Sequence, residues 1–142
     1  MSTKTAPERG QRWFQGRRPR VLAVEDEEDF RFILGEWLSR EFDALLLGDP
    51  ERLFEEVRAH RPDAIILDLG LPGIDGLKLC RLLHETPETA NTPLVVLTAF
   101  KEPALYERAM SAGARSYLCK PLGAVELRQR LWQLLDPPEP VS

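Results

Sequence analysis

The length, composition and charge of this chain are those of one water-soluble domain. With 142 residues, of which 43% are hydrophobic and 30% charged, it can bury a single core without disulfides or a structural metal, and it differs from disordered and membrane-embedded chains. No apolar run is long enough to span a bilayer, and the N-terminus lacks the apolar stretch of a secretory signal. We therefore expect a cytoplasmic protein without a membrane span.

The net charge of −4 is unevenly distributed along the chain. Residues 1–20 carry six Lys or Arg and one acid, a net charge of +5, so that residues 21–142 carry −9. Because an acidic surface repels nucleic acid, we expect no direct DNA binding by the body of the protein.

Composition also suggests how the chain is divided. We interpret residues 1–19 as a basic, flexible arm, residues 20–136 as the domain, and residues 137–142 as a proline-rich tail. Trp13 and Phe14 lie among the arginines of the arm. They could contact a partner, a lipid surface or the domain itself, or they could have no function.

Short apolar runs alternate five times with segments of helical periodicity. The first run ends abruptly at four acids, residues 25–28, and the next apolar positions, from Phe30 to Leu38, have helical spacing. The predicted strands are residues 20–24, 44–47, 64–67, 94–97 and 116–119. The later predicted helices are residues 50–60, 76–85, 103–112 and 123–135.

This alternation predicts an α/β fold, a five-stranded parallel sheet wound on both faces by helices. In such sheets ligands bind outside the carboxyl ends of the strands. The polar residues at those ends are Glu25, Asp26, Asp68, Thr98 and Lys120. The second strand ends at Leu47-Gly48, which offers little chemistry.

Three carboxylates at one sheet edge repel each other unless a cation offsets them. Magnesium prefers oxygen ligands and often combines one or two carboxylates with phosphate oxygens, so Glu25, Asp26 and Asp68 are candidate ligands of Mg²⁺. Lys120 can neutralise a phosphate and the Thr98 hydroxyl can donate a hydrogen bond to it. The strand ends therefore predict a site that handles a phosphoryl group.

Asp68 is the candidate nucleophile of this site. It follows the apolar strand at residues 64–67 and precedes a loop, residues 69–76, whose Pro and Gly residues suit a tight turn. A carboxylate can attack phosphorus and form an aspartyl phosphate when a metal and a cation stabilise the transferring charge.

The remaining candidate ligands are isolated. Cys80 and Cys119 have no Cys-x-x-Cys spacing, so we expect two buried, reduced thiols. His60 and His84 stand alone in polar helical segments and give no support for zinc.

Four segments of the chain, in this order and spacing, resemble the receiver domain of bacterial response regulators. They are Val24-Glu25-Asp26, Leu67-Asp68-Leu69-Gly70-Leu71-Pro72-Gly73-Ile74-Asp75-Gly76, Leu97-Thr98-Ala99 and Tyr117-Leu118-Cys119-Lys120-Pro121. The resemblance covers about residues 20–136. It implies a flavodoxin-like, three-layer α/β/α domain with strand order 2-1-3-4-5.

The resemblance also implies a role for each matching position. Asp68 would be the phosphoacceptor, and Asp26 and the Gly70 carbonyl would bind magnesium with it, joined by Glu25 directly or through water. Lys120, preceding a cis proline, would pair with the phosphoryl group. Thr98 would move toward the phosphoryl group, and Tyr117 would turn inward as a switch. These movements would change the surface formed by the fourth helix, the fifth strand and the fifth helix.

Three positions depart from the common pattern of the family. Glu25 stands where an Asp is more frequent, and it keeps the charge on a side chain one methylene longer. Gly70 and Phe100 occupy positions that influence access of water to the phosphate, and neither side chain can hydrogen-bond an attacking water. We therefore expect an altered lifetime of the phosphorylated state, without a direction from sequence alone.

The function expected on this basis is that of a stand-alone phosphorelay protein. Its partners would be a sensor histidine kinase or phosphotransfer protein and a downstream protein bound in trans; a homodimer stays open, as does a longer parent protein. It would assist its own phosphorylation without being an enzyme in the ordinary sense. A dehalogenase-type phosphatase would need a second Asp at the position of Gly70, and a scaffold that is never phosphorylated is disfavoured by the complete site.

Overall fold

The computed structural model describes residues 16–135, within which five strands alternate with five helices. The strands are β1 (Arg20–Val24), β2 (Asp43–Leu47), β3 (Ala64–Leu67), β4 (Leu94–Thr98) and β5 (Ser116–Cys119). The helices are α1 (Glu28–Ser39), α2 (Leu53–His60), α3 (Gly76–Glu85), α4 (Pro103–Ser111) and α5 (Ala124–Leu135). Residues 1–15 of the expected arm and the whole expected tail lie outside the described residues.

The strands form one parallel sheet in the order β2-β1-β3-β4-β5, which confirms the predicted fold class. Val24 lies opposite Leu67 in the register, so the next residues, Glu25 and Asp68, leave neighbouring strands side by side. The pairing of Thr98 with Cys119 places Lys120 directly beyond β5 at the same edge. Within residues 16–135, no helix is both long and apolar enough to cross a membrane.

The sheet has a hydrophobic cluster on each face because successive strand side chains point in opposite directions. In β1, Leu22 and Val24 belong to the cluster covered by α2, α3 and α4, whereas Val21 and Ala23 belong to the cluster covered by α1 and α5. In a strand buried on both faces, apolar and polar residues do not alternate. The strands are therefore continuous apolar runs in the sequence.

Most element boundaries coincide with the predicted ones, and the others differ by one to three residues. The second helix begins at Leu53 rather than at residue 50, because residues 50–52 form a turn in which the Leu53 N–H donates to the Pro50 carbonyl at 3.0 Å. The second strand begins one residue earlier than predicted, at Asp43, whose N–H donates to the Pro19 carbonyl at 2.9 Å. Polar side chains begin two helices, since Glu27 caps α1 and Asp75 caps α3.

The start of α3 packs closely against the loop that follows Asp68. A Cβ atom at Gly76 would lie 2.7 Å from the Leu69 Cα and 2.8 Å from the Leu69 carbonyl oxygen. Backbone atoms cannot move aside as a flexible side chain can. Gly76 therefore permits a helix-to-loop contact that holds the loop carrying Asp68.

We predict opposite effects of alanine at the two helical glycines of α3 and α1. Gly76→Ala should destabilise the protein by about 2 kcal/mol, the usual cost of overpacking a close contact. Gly35→Ala should stabilise it by about 0.5 kcal/mol, since the new Cβ would lie 3.5 Å from Leu46 in an ordinary contact and alanine favours the helix. Urea unfolding measures both; equal effects of the two substitutions would contradict the close contact.

Candidate functional site

Glu25 and Asp26 occupy the loop between β1 and α1. Glu25 is buried, with 2% of its surface exposed, whereas Asp26 is exposed. The Glu25 N–H donates to the Leu47 carbonyl at 2.9 Å, and its Oε2 accepts the Glu27 N–H at 3.1 Å. Hydrogen bonds of both the backbone and the side chain thus hold Glu25 in place.

Asp68 directly follows β3, and its side chain is only 11% exposed. Its Oδ1 accepts the Gly70 N–H at 2.9 Å, a turn that fixes the carboxylate close to its own loop. Its Oδ2 lies 3.0 Å from Lys120 Nζ. Both oxygens of the candidate nucleophile therefore have defined partners.

Lys120 joins the two buried carboxylates. Its Nζ lies 2.9 Å from Glu25 Oε1 and 3.0 Å from Asp68 Oδ2, and 4.7 Å from the centre of the Phe30 ring. Burial alone would lower the pKa of Lys120, but its hydrogen bonds to Glu25 and Asp68 outweigh that effect and leave the pKa above its ordinary value. The Lys120-Pro121 peptide bond is cis, as the resemblance implied.

The three predicted carboxylates are brought together. Glu25, Asp26 and Asp68 each offer an oxygen, and these oxygens all lie within 4.8 Å of one another. An all-oxygen donor set with one exposed member suits a hard divalent cation that keeps part of its water shell. The chemistry of this donor set fits magnesium, with Asp26 open to solvent.

Thr98 and Tyr117 meet at the backbone of Phe100. Thr98 is buried, and its Oγ1 accepts the Phe100 N–H at 3.3 Å; the Tyr117 hydroxyl donates to the Phe100 carbonyl at 2.8 Å. Tyr106 on α4 meets the Tyr117 ring edge to face, with 5.5 Å between the ring centres. Burial and nearby negative charge raise the pKa of Tyr117. The Lys120 N–H donates to the Thr98 carbonyl at 2.8 Å, but among residues 16–135 neither the Thr98 hydroxyl nor the Tyr117 hydroxyl is hydrogen-bonded to the side chain of Asp68 or Lys120.

The ring of Phe100 lies beside Gly70. A Cβ atom on Gly70 would be 3.4 Å from Phe100 Cζ and 3.5 Å from Asp68 Oδ1. The aromatic ring therefore borders the space that a side chain at position 70 would share with the acceptor carboxylate. Gly70 and Phe100, two of the three positions that depart from the family pattern, are therefore neighbours in the structure.

Sequence reasoning missed two contributors to the site, Phe30 and Arg31. Arg31 Nη1 donates to the carbonyls of Glu25 and Asp26 at 2.9 and 3.3 Å, and it lies 3.0 Å from where Gly48 would carry a Cβ. Gly48 thus contributes space at a strand end that seemed to offer little. A basic residue near the positive end of a helix opposes the helix dipole, a signal that could have drawn attention to Arg31.

The expectation of two buried thiols is right for one cysteine and wrong for the other. Cys80 is fully buried in the cluster under α3, and burial raises the pKa of its thiol to about 11. Cys119 is a free thiol of intermediate exposure, because its end of β5 lies at the sheet edge beside the Phe100 carbonyl.

We predict that the site is unstable without its lysine. Lys120→Met should leave Glu25 and Asp68 buried without a cation and lower the free energy of unfolding by about 2 kcal/mol in metal-free solution. Millimolar MgCl₂ should restore part of this loss by offsetting the same carboxylates. Urea unfolding with and without MgCl₂ measures both effects.

The matched control is Lys101→Met, because Lys101 is exposed in the loop before α4. Its effect should stay under about 0.5 kcal/mol. A Lys120 variant as stable as this control would contradict a charge-balancing role.

Several solved structures and curated proteins are similar to this chain. The receiver domain of a signal transduction histidine kinase from Syntrophus aciditrophicus superposes with a TM-score of 0.74 at 28% identity, covering 82% of this chain and 89% of that one. The phosphate regulon transcriptional regulatory protein PhoB of Rhizobium meliloti is 36% identical over 125 residues, which are 86% of this chain and 54% of PhoB. The sensor histidine kinase TmoS of Ectopseudomonas mendocina is 34% identical over 123 residues, 87% of this chain and 13% of TmoS.

This chain thus spans about half of PhoB and a small part of TmoS, and the similarity concerns one module of each. The family model described as the response regulator receiver domain matches residues 21–132. That match includes β1 except Arg20, all of β2 to β5, and every residue of the site described above. The chain therefore belongs to the response regulator receiver domain family of two-component systems.

Proposed function

We propose that this receiver domain accepts a phosphoryl group on Asp68 with the help of Mg²⁺ and signals through the surface formed by α4, β5 and α5. The phosphoryl group would come from a sensor histidine kinase or phosphotransfer protein. The observation that carries the proposal is the position of Lys120 Nζ, 3.0 Å from the largely buried carboxylate of Asp68 and 2.9 Å from Glu25. A cation already rests where the charge of a transferred group would develop.

In the transfer step an oxygen of Asp68 forms a bond to phosphorus. The bond between phosphorus and the donor atom breaks, and its electron pair leaves with the donor. Lys120 neutralises phosphoryl charge as it now neutralises the carboxylates, and the Gly70 N–H keeps Asp68 Oδ1 in place. Bound at Glu25, Asp26, Asp68 and the Gly70 carbonyl, magnesium would supply further charge neutralisation.

A phosphoryl group on Asp68 would accept a hydrogen bond from the Thr98 hydroxyl and draw it away from Phe100, whose N–H now donates to Thr98 Oγ1. Loss of that bond would free the Phe100 backbone, to which the Tyr117 hydroxyl is also attached. Tyr117 in turn packs on Tyr106 of α4, which is 45% exposed. These contacts link Thr98, at the strand end near the acceptor, to Tyr106 of the proposed output surface, where phosphorylation would shift a pre-existing equilibrium.

The proposed partners follow from the relatives. Both PhoB, named as a transcriptional regulator, and TmoS, named as a sensor kinase, contain much more chain than the matching module. We propose that this module binds a downstream protein in trans, because the acidic body of the domain is unsuited to DNA. A cytoplasmic location and a homodimer stay predictions.

The first test is direct phosphorylation. Incubation with MgCl₂ and acetyl phosphate should add one phosphoryl group by intact mass, and Asp68→Asn should abolish the gain because the nucleophile is lost. Asp49→Asn is the matched control, an exposed aspartate after β2 at the same sheet edge. No gain in the wild type, or an equal gain in Asp68→Asn, would refute the proposal.

The neighbouring Phe100 and Gly70 give a direction for the lifetime of the phosphorylated state. Water must approach phosphorus on Asp68 for hydrolysis, and the Phe100 ring borders that approach without offering a hydrogen bond to the water. We propose that the ring slows dephosphorylation.

Phe100→Glu should therefore shorten the lifetime several-fold, since it replaces an apolar cover with a group that can bind and orient water. The decay of phosphorylated protein by intact mass after removal of acetyl phosphate measures this. Phe32→Glu is the control, because Phe32 is 70% exposed on α1 and is no part of the site. An unchanged decay rate in Phe100→Glu would contradict the shielding role.

A further inference from the structure

Lys120 requires more than its two carboxylate partners to stay in place. Its side chain has four methylene groups and extends from the loop after β5, so many rotamers are available to it. Glu25 and Asp68 attract the ammonium, but both are also candidate ligands of a competing cation. A third contact that a metal cannot take over would keep the lysine at the site.

The Phe30 ring provides such a contact, with its centre 4.7 Å from Lys120 Nζ. This distance lies within the range in which an ammonium is attracted to the π face of an aromatic ring. The lysine side chain is 21% exposed, so water weakens the attraction only in part. The contact joins α1 to the loop after β5, across the end of the sheet.

Phe30 is itself fixed by its own helix. It lies in the first turn of α1, where its N–H donates to Glu27 Oε1 at 2.7 Å. Its ring meets Trp37 edge to face, with 5.8 Å between ring centres and an interplanar angle of 88°. The position of the ring is therefore set by contacts that do not include the carboxylates of Glu25 and Asp68.

We propose that Phe30 is a positioning residue that holds the Lys120 ammonium between Glu25 and Asp68 through a cation–π contact. The proposal deepens the proposed phosphoacceptor function and rests on it for its consequence in phosphoryl transfer. When a phosphoryl oxygen replaces a carboxylate oxygen as partner of Lys120, the ring contact remains and limits how far the ammonium moves. The same contact keeps the lysine in competition with a metal for Glu25 and Asp68.

The proposal predicts two effects of opposite sign. Phe30→Leu keeps an apolar side chain packed against Trp37 but removes the π face. Phosphorylation by acetyl phosphate at fixed, saturating MgCl₂ should slow about fivefold, because the lysine is less well placed. The Kd for Mg²⁺, measured by amide shifts in NMR titrations without phosphodonor, should fall about threefold, because the lysine competes less strongly. General damage to the fold would instead slow phosphorylation and also weaken Mg²⁺ binding.

Three further variants isolate the aromatic face. Phe30→Tyr should retain both wild-type values, and Phe32→Leu, on the exposed side of α1, should do the same. Mono-, di- and trifluorinated phenylalanine at position 30 should change both values step by step, since fluorine weakens the negative face of the ring at nearly constant volume.

A readout without metal or phosphate separates this proposal from the proposed function. In metal-free protein the ring current of Phe30 should shift the Lys120 ε-methylene NMR signal upfield, and Phe30→Leu should remove that shift. If no variant, wild type included, is phosphorylated, the proposed function fails while the NMR shift and the Mg²⁺ titrations still decide on Phe30. An unshifted methylene, or equal values for Phe30→Leu and wild type, would overturn the proposal.

Discussion

The site depends on one interaction, the Lys120 ammonium placed between the buried carboxylates of Glu25 and Asp68. The register of β1 and β3 brings these two acids side by side, where their charges would repel each other without a cation. Lys120 comes from β5 and reaches past the end of β4, where Thr98 lies. The strand order therefore contributes to the charge balance, because it brings the two acids and the lysine, which are distant in the chain, to the same end of the sheet.

A second dependence centres on Phe100. Its N–H is bonded to Thr98, its carbonyl accepts the Tyr117 hydroxyl, and its ring lies beside the position where Gly70 lacks a side chain. The residue that borders the acceptor is thus also the residue to which both switch candidates are attached. Access of water to Asp68 and the position of the proposed output surface are therefore both linked to Phe100.

The sequence predicted the sheet and the polar residues that lie at the carboxyl ends of its strands, because both follow from local patterns. Apolar runs ending in polar residues locate strand ends, and a parallel sheet aligns those ends whatever the loops do. It could not predict that Glu25 bonds Lys120 directly, since that contact joins residues 95 positions apart through two side-chain rotamers. Phe30 has the helical spacing of an ordinary core residue, so nothing in the sequence indicated its contact with Lys120. The exposure of Cys119 depends on how the edge strand β5 is covered, which no local sequence pattern shows.

The extra methylene of Glu25 acquires a physical meaning from these contacts. Its longer side chain lets Oε1 meet Lys120 while Oε2 accepts the Glu27 N–H, so both oxygens already have protein partners. Within residues 16–135, the Asp26 side chain accepts no hydrogen bond and faces solvent. A cation approaching from solvent would therefore meet Asp26 first and would have to share Asp68 and Glu25 with Lys120. To become direct ligands, Glu25 and Asp68 would each give up existing hydrogen bonds, whereas Asp26 would give up none within the described part of the chain, so a cation bound here would be coupled to the position of Lys120.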